Sequence, residues 1–256
     1  MSQESDAARD RVLLSPESRF RFHCHAGLEC FNRCCREAAV ILSPYDILRL
    51  SRSLGLATGE FLRRYTRRAD EGGSFLPLVL LKPARTGGCP FLGEAGCSVY
   101  CDRPASCRLF PVTQGSELAP EGAVEHFFLR RLEYCQGFGE GPEWTLSTWQ
   151  ADQGFPEFDR PRRPWLALLA KQAKPGRTLP DDRILSQFYM VAYDLDAFRV
   201  FVCQSAFLKI HGLSEDQKKL LETDDLTLVR LSAAYLEQLL FPTEAAPLKN
   251  AMESKG

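Results

Sequence analysis

The chain has 256 residues, of which 45% are hydrophobic and 25% are charged, and its formal net charge is −1. These are the values of an ordinary globular protein that buries a core without covalent staples, which excludes a small disulfide-rich scaffold. The balanced charge also lacks the basic excess that a nucleic-acid or membrane-surface partner requires, so we expect neither partner.

The N-terminal segment MSQESDAARDRVLLSPESRFRF is charged throughout and has no apolar stretch, which argues against a Sec signal peptide. The longest apolar run, FLPLVLL at 75–81, is far too short to span a bilayer. We therefore expect a cytoplasmic protein. In that compartment thiols are kept reduced, so a cysteine-rich pattern indicates metal or redox chemistry more often than disulfides.

In the first half of the chain, LSPYDILRLSRSLG predicts a helix with Ser43 as its N-cap, Pro44 in its first turn and Gly55 as its stop. A second helix is expected at 59–69. The short apolar segment SFLPLVLLK predicts a strand or hairpin arm. The stretch from 84 to 122 is rich in Gly and Pro, which predicts mostly turns and short pieces.

In the second half, WTLSTWQADQG predicts a short helix capped by Thr145 and ended by Gly154. Further helices are expected near 165–173, 182–210, 214–222 and 225–240, with a capping box at Ser214 and Gln217 and a stop at Pro242. The fold class is thus mainly α with a small irregular Cys-rich metal-binding region, an α+β protein with few short strands and a helical C-terminal half. We expect a cysteine-cluster metal-binding domain over 20–150 and a helical C-terminal region over 160–245 that packs on it.

Nine of the ten cysteines fall within residues 24–135, and only Cys203 lies beyond them. A lone buried cysteine is usually a small core residue, which is our interpretation of Cys203. Cys101 is ambiguous, because it follows Cys97 by four residues. Random core placement does not explain the clustering of the other eight, so we interpret them as metal ligands, with thiol redox chemistry or disulfides as alternatives. These eight are Cys24, Cys30, Cys34, Cys35, Cys89, Cys97, Cys107 and Cys135.

The spacing of these cysteines limits how they can bind. On a helix Cys30 and Cys34 would share a face, whereas Cys35 would be rotated away by about 100°. The adjacent pair therefore indicates either two neighbouring centres or one centre held by a non-helical loop. Soft thiolates select zinc, Cu(I) or iron–sulfur clusters, and zinc and iron–sulfur sites usually take four protein ligands. The irregular spacing suits an iron–sulfur cluster at least as well as zinc.

Other polar residues near the cysteines have weaker assignments. His23 and His25 alternate with Cys24, so we expect them to support the site from outside or to lie on the surface. His126 and His211 are expected to be structural. Arg103 and Arg108 lie among the cysteines and have two interpretations of equal weight. They either donate N–H···S bonds to the thiolates or form loop-bracing salt bridges with Asp102 or Glu94.

Several segments together resemble the YkgJ-type cysteine-cluster proteins, a family named for a zinc- or iron-chelating domain. These segments are FHCHAGLECFNRCC, LSPYDILRL, CPFLGEAGCSVYCDRPASCRLFP and CQGFGEGPEWTLSTW, and they span roughly residues 20–150. The same cysteine signature occurs in flagellin lysine N-methylases of the FliB type. The resemblance implies a bound metal, and in the methylase case a [4Fe-4S] cluster.

The family pattern matches Cys24, Cys30, Cys34, Cys35, Cys89, Cys97 and Cys107, with Cys135 matching in the longer members. Position 101 is acidic or polar in the family, so Cys101 is an extra. Three functions follow as hypotheses: a protein whose iron–sulfur or zinc centre has a structural, redox or sensing role, a FliB-like protein lysine N-methyltransferase, or a metal chaperone or chelator. The absence of a Gly-rich nucleotide loop after a strand weighs against a standard cofactor site in the methyltransferase hypothesis. No catalytic residue is assigned.

Overall fold

The computed structural model describes residues 11–37, 39–69, 76–119, 122–172, 182–242 and 245–253. The chain forms two compact units that interleave along the sequence. Unit 1 comprises Met1–Val40 and Lys82–Arg160, and unit 2 comprises Ile41–Leu81 and Pro161–Gly256. All of the clustered cysteines belong to unit 1.

The strands of the described residues are short and antiparallel. They are β1 Arg11–Leu13, β2 Arg19–Phe22, β3 Ile41–Leu42, β4 Thr66–Arg68, β5 Val79–Leu81, β6 Leu92–Gly93, β7 Gly96–Cys97, β8 Val112–Ala119, β9 Gly122–Arg130 and β10 Phe138–Thr145. The helices of the described residues are α1 Arg33–Glu37, α2 Pro44–Ser53, α3 Thr58–Tyr65, α4 Ala105–Leu109, α5 Leu146–Asp152, α6 Phe155–Asp159, α7 Arg163–Gln172, α8 Asp182–Ala192, α9 Leu195–Gln204, α10 Phe207–Ile210, α11 Glu215–Thr223, α12 Asp225–Leu240 and α13 Leu248–Glu253. The predicted class is confirmed: the chain is mainly helical, with few short strands and a helical C-terminal half.

Unit 1 contains two larger antiparallel sheets, the small β6–β7 pair and an aromatic core. One sheet has the order β1-β9-β8, and the other pairs β10 with β2 across a register shift between Phe138 and Glu143. The Phe22 and Trp149 rings meet edge to face with centroids 5.7 Å apart, and the indole N–H of Trp149 donates to the Leu109 carbonyl at 2.8 Å. The predicted helix after Thr145 is confirmed as α5, with Thr145 as its N-cap.

Turns and short elements were predicted for residues 84–122, and the structure has them only up to residue 111. Residues 112–119 form β8, which pairs along its full length with β9 from Val112↔Leu129 to Ala119↔Gly122. The prediction is wrong here because VTQGSELA carries a glycine and several polar residues, so its strand state depends on the partner strand rather than on its own pattern.

Unit 2 contains the sheet β3-β5-β4 and the helices from α7 onward, together with α2 and α3. The capping boxes at Ser43 and Ser214 are confirmed. The helix expected at 59–69 ends at Tyr65, where the chain enters β4, and of the apolar segment 74–82 the part Val79–Leu81 forms β5, while residues 74 and 75 lie outside the described residues. Within the described part of the chain, no helix is both long and apolar enough to cross a bilayer.

The predicted helix at 182–210 is broken into α8, α9 and α10. Its apolar stripe is real, since Phe188, Val191, Phe198 and Val202 are all fully buried. The first break follows from Asp194, whose side chain accepts a hydrogen bond from the Ala197 amide and so starts a new helix inside the periodic pattern.

Candidate metal centre

The cysteines of unit 1 come from five separate pieces of chain. Cys24 and Cys30 lie in the loop between β2 and α1, and Cys34 and Cys35 lie in α1. Two more lie beside or in the β6–β7 hairpin, one in α4, and one in the loop between β9 and β10; these are Cys89, Cys97, Cys107 and Cys135. All ten cysteines of the chain are free thiols.

The short helix α1 presents the adjacent pair Cys34 and Cys35. It does not extend back to Cys30, because Asn32 adopts a left-handed conformation with φ of 65°. The two thiols lie 4.0 Å apart, sulfur to sulfur. Their hydrogen bond lowers the pKa of Cys34 to about 7 and raises the pKa of Cys35. The pair therefore loses its first proton readily and its second only with difficulty.

A first group of thiols gathers around Cys34. Partial burial of the thiol, followed by the neighbouring thiols Cys34, Cys135 and Cys30 in that order, raises the pKa of Cys24 to about 11. Burial also raises the pKa of Cys135, whose sulfur accepts a hydrogen bond from the Gly137 amide and which interacts with Cys30 and Cys34. The Gln136 amide donates to the Cys30 sulfur at 3.2 Å.

A second group gathers around Cys35. Besides Cys34, the thiols that raise the pKa of Cys35 are those of Cys107 and Cys89. Burial raises the pKa of Cys89, hydrogen bonds from the amides of Phe91 and Leu92 lower it, and the thiols of Cys97 and Cys34 raise it again. A cysteine sulfur that accepts amide hydrogens from the next turn of its own loop is held in one orientation.

The second group depends on a close approach of two backbones. The Cys89 amide donates to the Cys35 carbonyl at 2.7 Å. Gly88, with φ of +76°, lies so close to α1 that an added Cβ would be 3.0 Å from the Arg36 Cα. Only glycine combines that conformation with that contact. After Cys89, the β6–β7 hairpin pairs Leu92 with Cys97, so the chain turns back and Cys97 returns towards the start of the hairpin.

The donor chemistry of the cluster fits zinc or an iron–sulfur cluster. Every candidate donor is a sulfur, the eight candidates are enough for a four-coordinate site, and several of the sulfurs already accept backbone N–H groups. Among the residues that the structure describes, no group of three or more His, Cys, Asp and Glu side chains is arranged as a preformed ion site. The thiols that would bind a metal therefore have to close around it, as metal sites do when binding and folding are coupled.

The remaining two cysteines lie outside both groups. Cys101 is exposed in a one-turn 3-10 helix at Tyr100–Asp102, and its carbonyl accepts a hydrogen bond from Arg108. Cys203 lies in α9 of unit 2, where burial raises its pKa.

The histidines take positions that fit supporting roles. The rings of His23 and His25 lie 4.8 Å apart, and the Nδ1 of His25 accepts a hydrogen bond from the Gly27 amide. His126 pairs with Glu117 across the β8–β9 hairpin, with Nε2 to Oε1 at 2.9 Å. His211 packs on the Phe207 ring, and burial lowers its pKa.

Arg103 and Arg108 brace the loop that carries Cys107. Arg103 donates to the Tyr100 carbonyl at 2.7 Å and to the Gln153 side chain at 2.7 Å. Arg108 donates to the Gln153 carbonyl at 2.9 Å and to the Cys101 carbonyl at 2.6 Å. These bonds tie the turn at 100–109 to the end of α5. The sequence did not indicate this role of Gln153, because Arg103 and Arg108, which bond to it, lie 50 and 45 residues away.

Comparison with known proteins agrees with this geometry. Residues 23–136 match the family model CxxCxxCC, described as a "putative zinc- or iron-chelating domain". No curated protein and no solved structure matches the chain. The matched range begins one residue before Cys24 and ends one residue after Cys135, so it contains every cysteine of the two groups. Residues 23–136, less than half of this chain, are therefore similar to the cysteine-cluster family of zinc- or iron-chelating domains.

Proposed function

We propose that unit 1 holds a metal centre through the thiolates of its clustered cysteines, and that the centre is an iron–sulfur cluster of the [4Fe-4S] type, with zinc as the alternative. The proposed ligands are Cys24, Cys30, Cys34, Cys35, Cys89, Cys97, Cys107 and Cys135. A bound cluster would supply one-electron redox chemistry, whereas zinc would supply structural cross-linking only.

The observation that carries the proposal is the set of backbone amides directed at cysteine sulfurs. Gln136 donates to Cys30, Gly137 to Cys135, and Phe91 and Leu92 to Cys89. A neutral thiol is a weak hydrogen-bond acceptor, and a metal-bound thiolate is a much stronger one. Amides in these positions stabilise negative sulfur and tune the potential of a cluster, which a core of inert thiols does not need.

The direct test is anaerobic purification of the full chain, followed by iron, acid-labile sulfide and zinc analysis and an absorbance spectrum. We expect iron and sulfide in equal amounts and an absorbance band near ~400 nm. Stoichiometric zinc without colour would replace the cluster by the zinc alternative, and a chain that binds neither metal would refute the proposal.

Substitutions separate ligands from bystanders. We expect Cys34→Ser and Cys107→Ser to lower the metal content and to loosen unit 1, while the matched control Cys203→Ser, in the helical unit, retains the wild-type content. Equal metal content in all three variants would contradict the assignment of the cysteines.

The exposure of some thiols favours a second candidate, a metal carrier. Cys24 and Cys107 are exposed, so an incoming chelator can reach the centre from solvent. A carrier must release its cargo, which makes exchange the discriminating measurement. Transfer of the metal to a competing chelator within minutes would favour the carrier, and retention over many hours would favour a resident centre.

A further inference from the structure

The adjacent thiols of Cys34 and Cys35 form a two-sulfur site on the short helix α1. We propose that this pair captures a trivalent organoarsenical, in which one arsenic atom is bound by both sulfurs and keeps its organic substituent. The adduct itself does not require the metal centre of the proposed function. Its consequence for that centre, a block of metal binding, does rest on the proposed function, because the same thiols are among the proposed ligands.

The position of the two sulfurs is the first argument. The side chains leave the helix about 100° apart, yet the sulfurs lie 4.0 Å from each other and share a hydrogen bond. Two sulfurs bound to one zinc ion at about 2.3 Å also lie about 4 Å apart, so this is the spacing of two thiolates on one shared atom. A small rotation of one side chain adapts that spacing to an arsenic atom.

The number of ligands favours arsenic over a metal ion at the pair alone. A zinc ion or an iron–sulfur cluster takes about four protein ligands. Among the residues that the structure describes, no group of three or more His, Cys, Asp and Glu side chains is arranged to hold an ion. An organoarsenical needs only two thiols, because the third bond of its arsenic is to carbon. The pair can therefore hold it before any other thiol moves in.

The same helix disfavours the closure of the pair to a disulfide. Adjacent Cα atoms are about 3.8 Å apart, whereas disulfides usually join Cα atoms that are about 4.4–6.8 Å apart. The sulfurs would also have to approach from 4.0 Å to about 2.05 Å. Both thiols are free, and a bridging atom links them with less distortion of α1 than a direct sulfur–sulfur bond.

Backbone contacts hold the pair in place while solvent can still reach it. The Cys35 amide donates to the Asn32 carbonyl at 3.1 Å, and the Cys35 carbonyl accepts the Cys89 amide at 2.7 Å. Each of the five residues of α1 is exposed or half-buried, and Cys34 and Cys35 are half-buried. Thiols that are already positioned lose little conformational freedom on binding, which strengthens a chelate.

The reaction is a condensation and needs no oxidant. With phenylarsine oxide, the arsenic–oxygen bond and the two S–H bonds break, two arsenic–sulfur bonds form, and one molecule of water leaves with both thiol protons. The thiolate is the nucleophile in each step, arsenic stays trivalent, and the sulfurs are not oxidised.

The test mixes the reduced, metal-free full chain with one equivalent of phenylarsine oxide and measures the adduct by intact mass and peptide mapping. We expect one phenylarsenic group per chain, bound to Cys34 and Cys35. Cys34→Ser and Cys35→Ser should each weaken binding by about 10²-fold or more, because the second arsenic–sulfur bond is lost. The matched controls Cys30→Ser and Cys101→Ser should bind as the wild type does.

Reversal identifies a two-thiol chelate. Dimercaptopropanol should remove the arsenic, whereas excess glutathione should not, because only the dithiol offers a competing chelate. Unchanged binding in Cys34→Ser or Cys35→Ser, loss of binding in Cys30→Ser, or release by glutathione would overturn the proposal. If a serine variant does not fold, the wild-type peptide map decides, and arsenic on any other pair of cysteines would overturn the proposal.

A final experiment separates this inference from the proposed function. The arsenic-free chain and the phenylarsenic adduct are each offered zinc, and we expect binding in the first and a large loss of binding in the second. Equal zinc binding in both would overturn the block of metal binding. An adduct on a chain that binds neither zinc nor iron would refute the proposed function and leave the arsenical site intact. Metal binding by a chain that forms no adduct would do the reverse.

Discussion

Substitution of Arg108 tests the packing of the cysteine region while leaving every thiol in place. Its side chain is buried, with 8% of the residue exposed. It donates one hydrogen bond to the Gln153 carbonyl and one to the Cys101 carbonyl, and its guanidinium lies 4.6 Å from the centre of the Phe158 ring. Truncation in Arg108→Ala removes both donors and leaves two carbonyl groups without them.

The expected cost follows from these contacts. A hydrogen bond to a charged group contributes about 1.5–3 kcal/mol, so the two bonds amount to about 3–6 kcal/mol of unfolding free energy. Domains of this size have roughly 5–15 kcal/mol in total, so the loss is a large share of the stability of unit 1. Arg108→Lys should lose part of this amount, because a lysine ammonium is a point charge that cannot reproduce the planar, two-pronged contact.

The assay is urea unfolding followed by tryptophan fluorescence, since the Trp149 indole is bonded to the Leu109 carbonyl in the same region. The matched control is Arg131→Ala, where an exposed arginine lies 4.8 Å from the Phe138 ring, and a loss below about 1 kcal/mol is expected. A loss under about 1 kcal/mol in Arg108→Ala, or equal losses in both variants, would refute the argument that Arg108 braces the Cys107 turn.

Three further predictions concern the loop contact, a buried network and a helix cap. Gly88→Ala should reduce the metal content more than Gly87→Ala, because both have positive φ but only Gly88 would place a Cβ 3.0 Å from the Arg36 Cα; equal metal content in the two variants would contradict this. Burial alone raises the pKa of Asp196, but hydrogen bonds from Arg52 and Thr58 outweigh it and lower the pKa, so its stabilisation is present above the unfolded pKa of about 3.9 and is lost as pH falls through the folded value. Asp196→Asn should therefore reduce the fall of the urea midpoint as the pH is lowered from 5. An unchanged dependence of the midpoint on pH would count against the hydrogen bonds of Asp196 with Arg52 and Thr58. Ser43→Ala should lower the unfolding free energy by about 1 kcal/mol, because the serine oxygen accepts the Asp46 amide at 3.2 Å and its hydroxyl donates to the Asp46 carboxylate, and Ser43→Thr should restore part of it; no loss in the alanine variant would argue against the cap.

Local signals in the sequence were sufficient for much of the helical part of the fold. The capping boxes at Ser43 and Ser214 each use a side chain and an amide three residues apart, so everything needed to recognise them lies in one short segment. The strand β8 was missed because it is defined by its pairing with β9. The continuous helix at 182–210 was wrong because an apolar stripe persists across a break that Asp194 introduces.

The sequence predicted which cysteines form the candidate site, but not which of them lie next to one another. Clustering of cysteines predicted thiolate ligands without stating which of them face one another. That information lies in contacts such as the Gln136 amide on the Cys30 sulfur, 106 residues apart, and in the close approach of Gly88 to α1. Contacts across such distances depend on the closure of whole loops, which no local pattern records.

The adjacent cysteines show how local backbone shape limits what a metal site can be. The sequence left two alternatives: two neighbouring centres, or one centre on a loop in which the helix is unwound at the pair. The second alternative requires a non-helical backbone at Cys34 and Cys35, yet α1 is helical from Arg33 to Glu37, and the left-handed residue that interrupts it, Asn32, comes before the pair. With the helix kept, the two side chains leave the backbone about 100° apart, yet their sulfurs turn to within 4.0 Å of each other and share a hydrogen bond. The helix therefore fixes where the pair sits but leaves both thiols able to meet one metal, because two sulfurs bound to the same zinc at about 2.3 Å lie about 4 Å from each other.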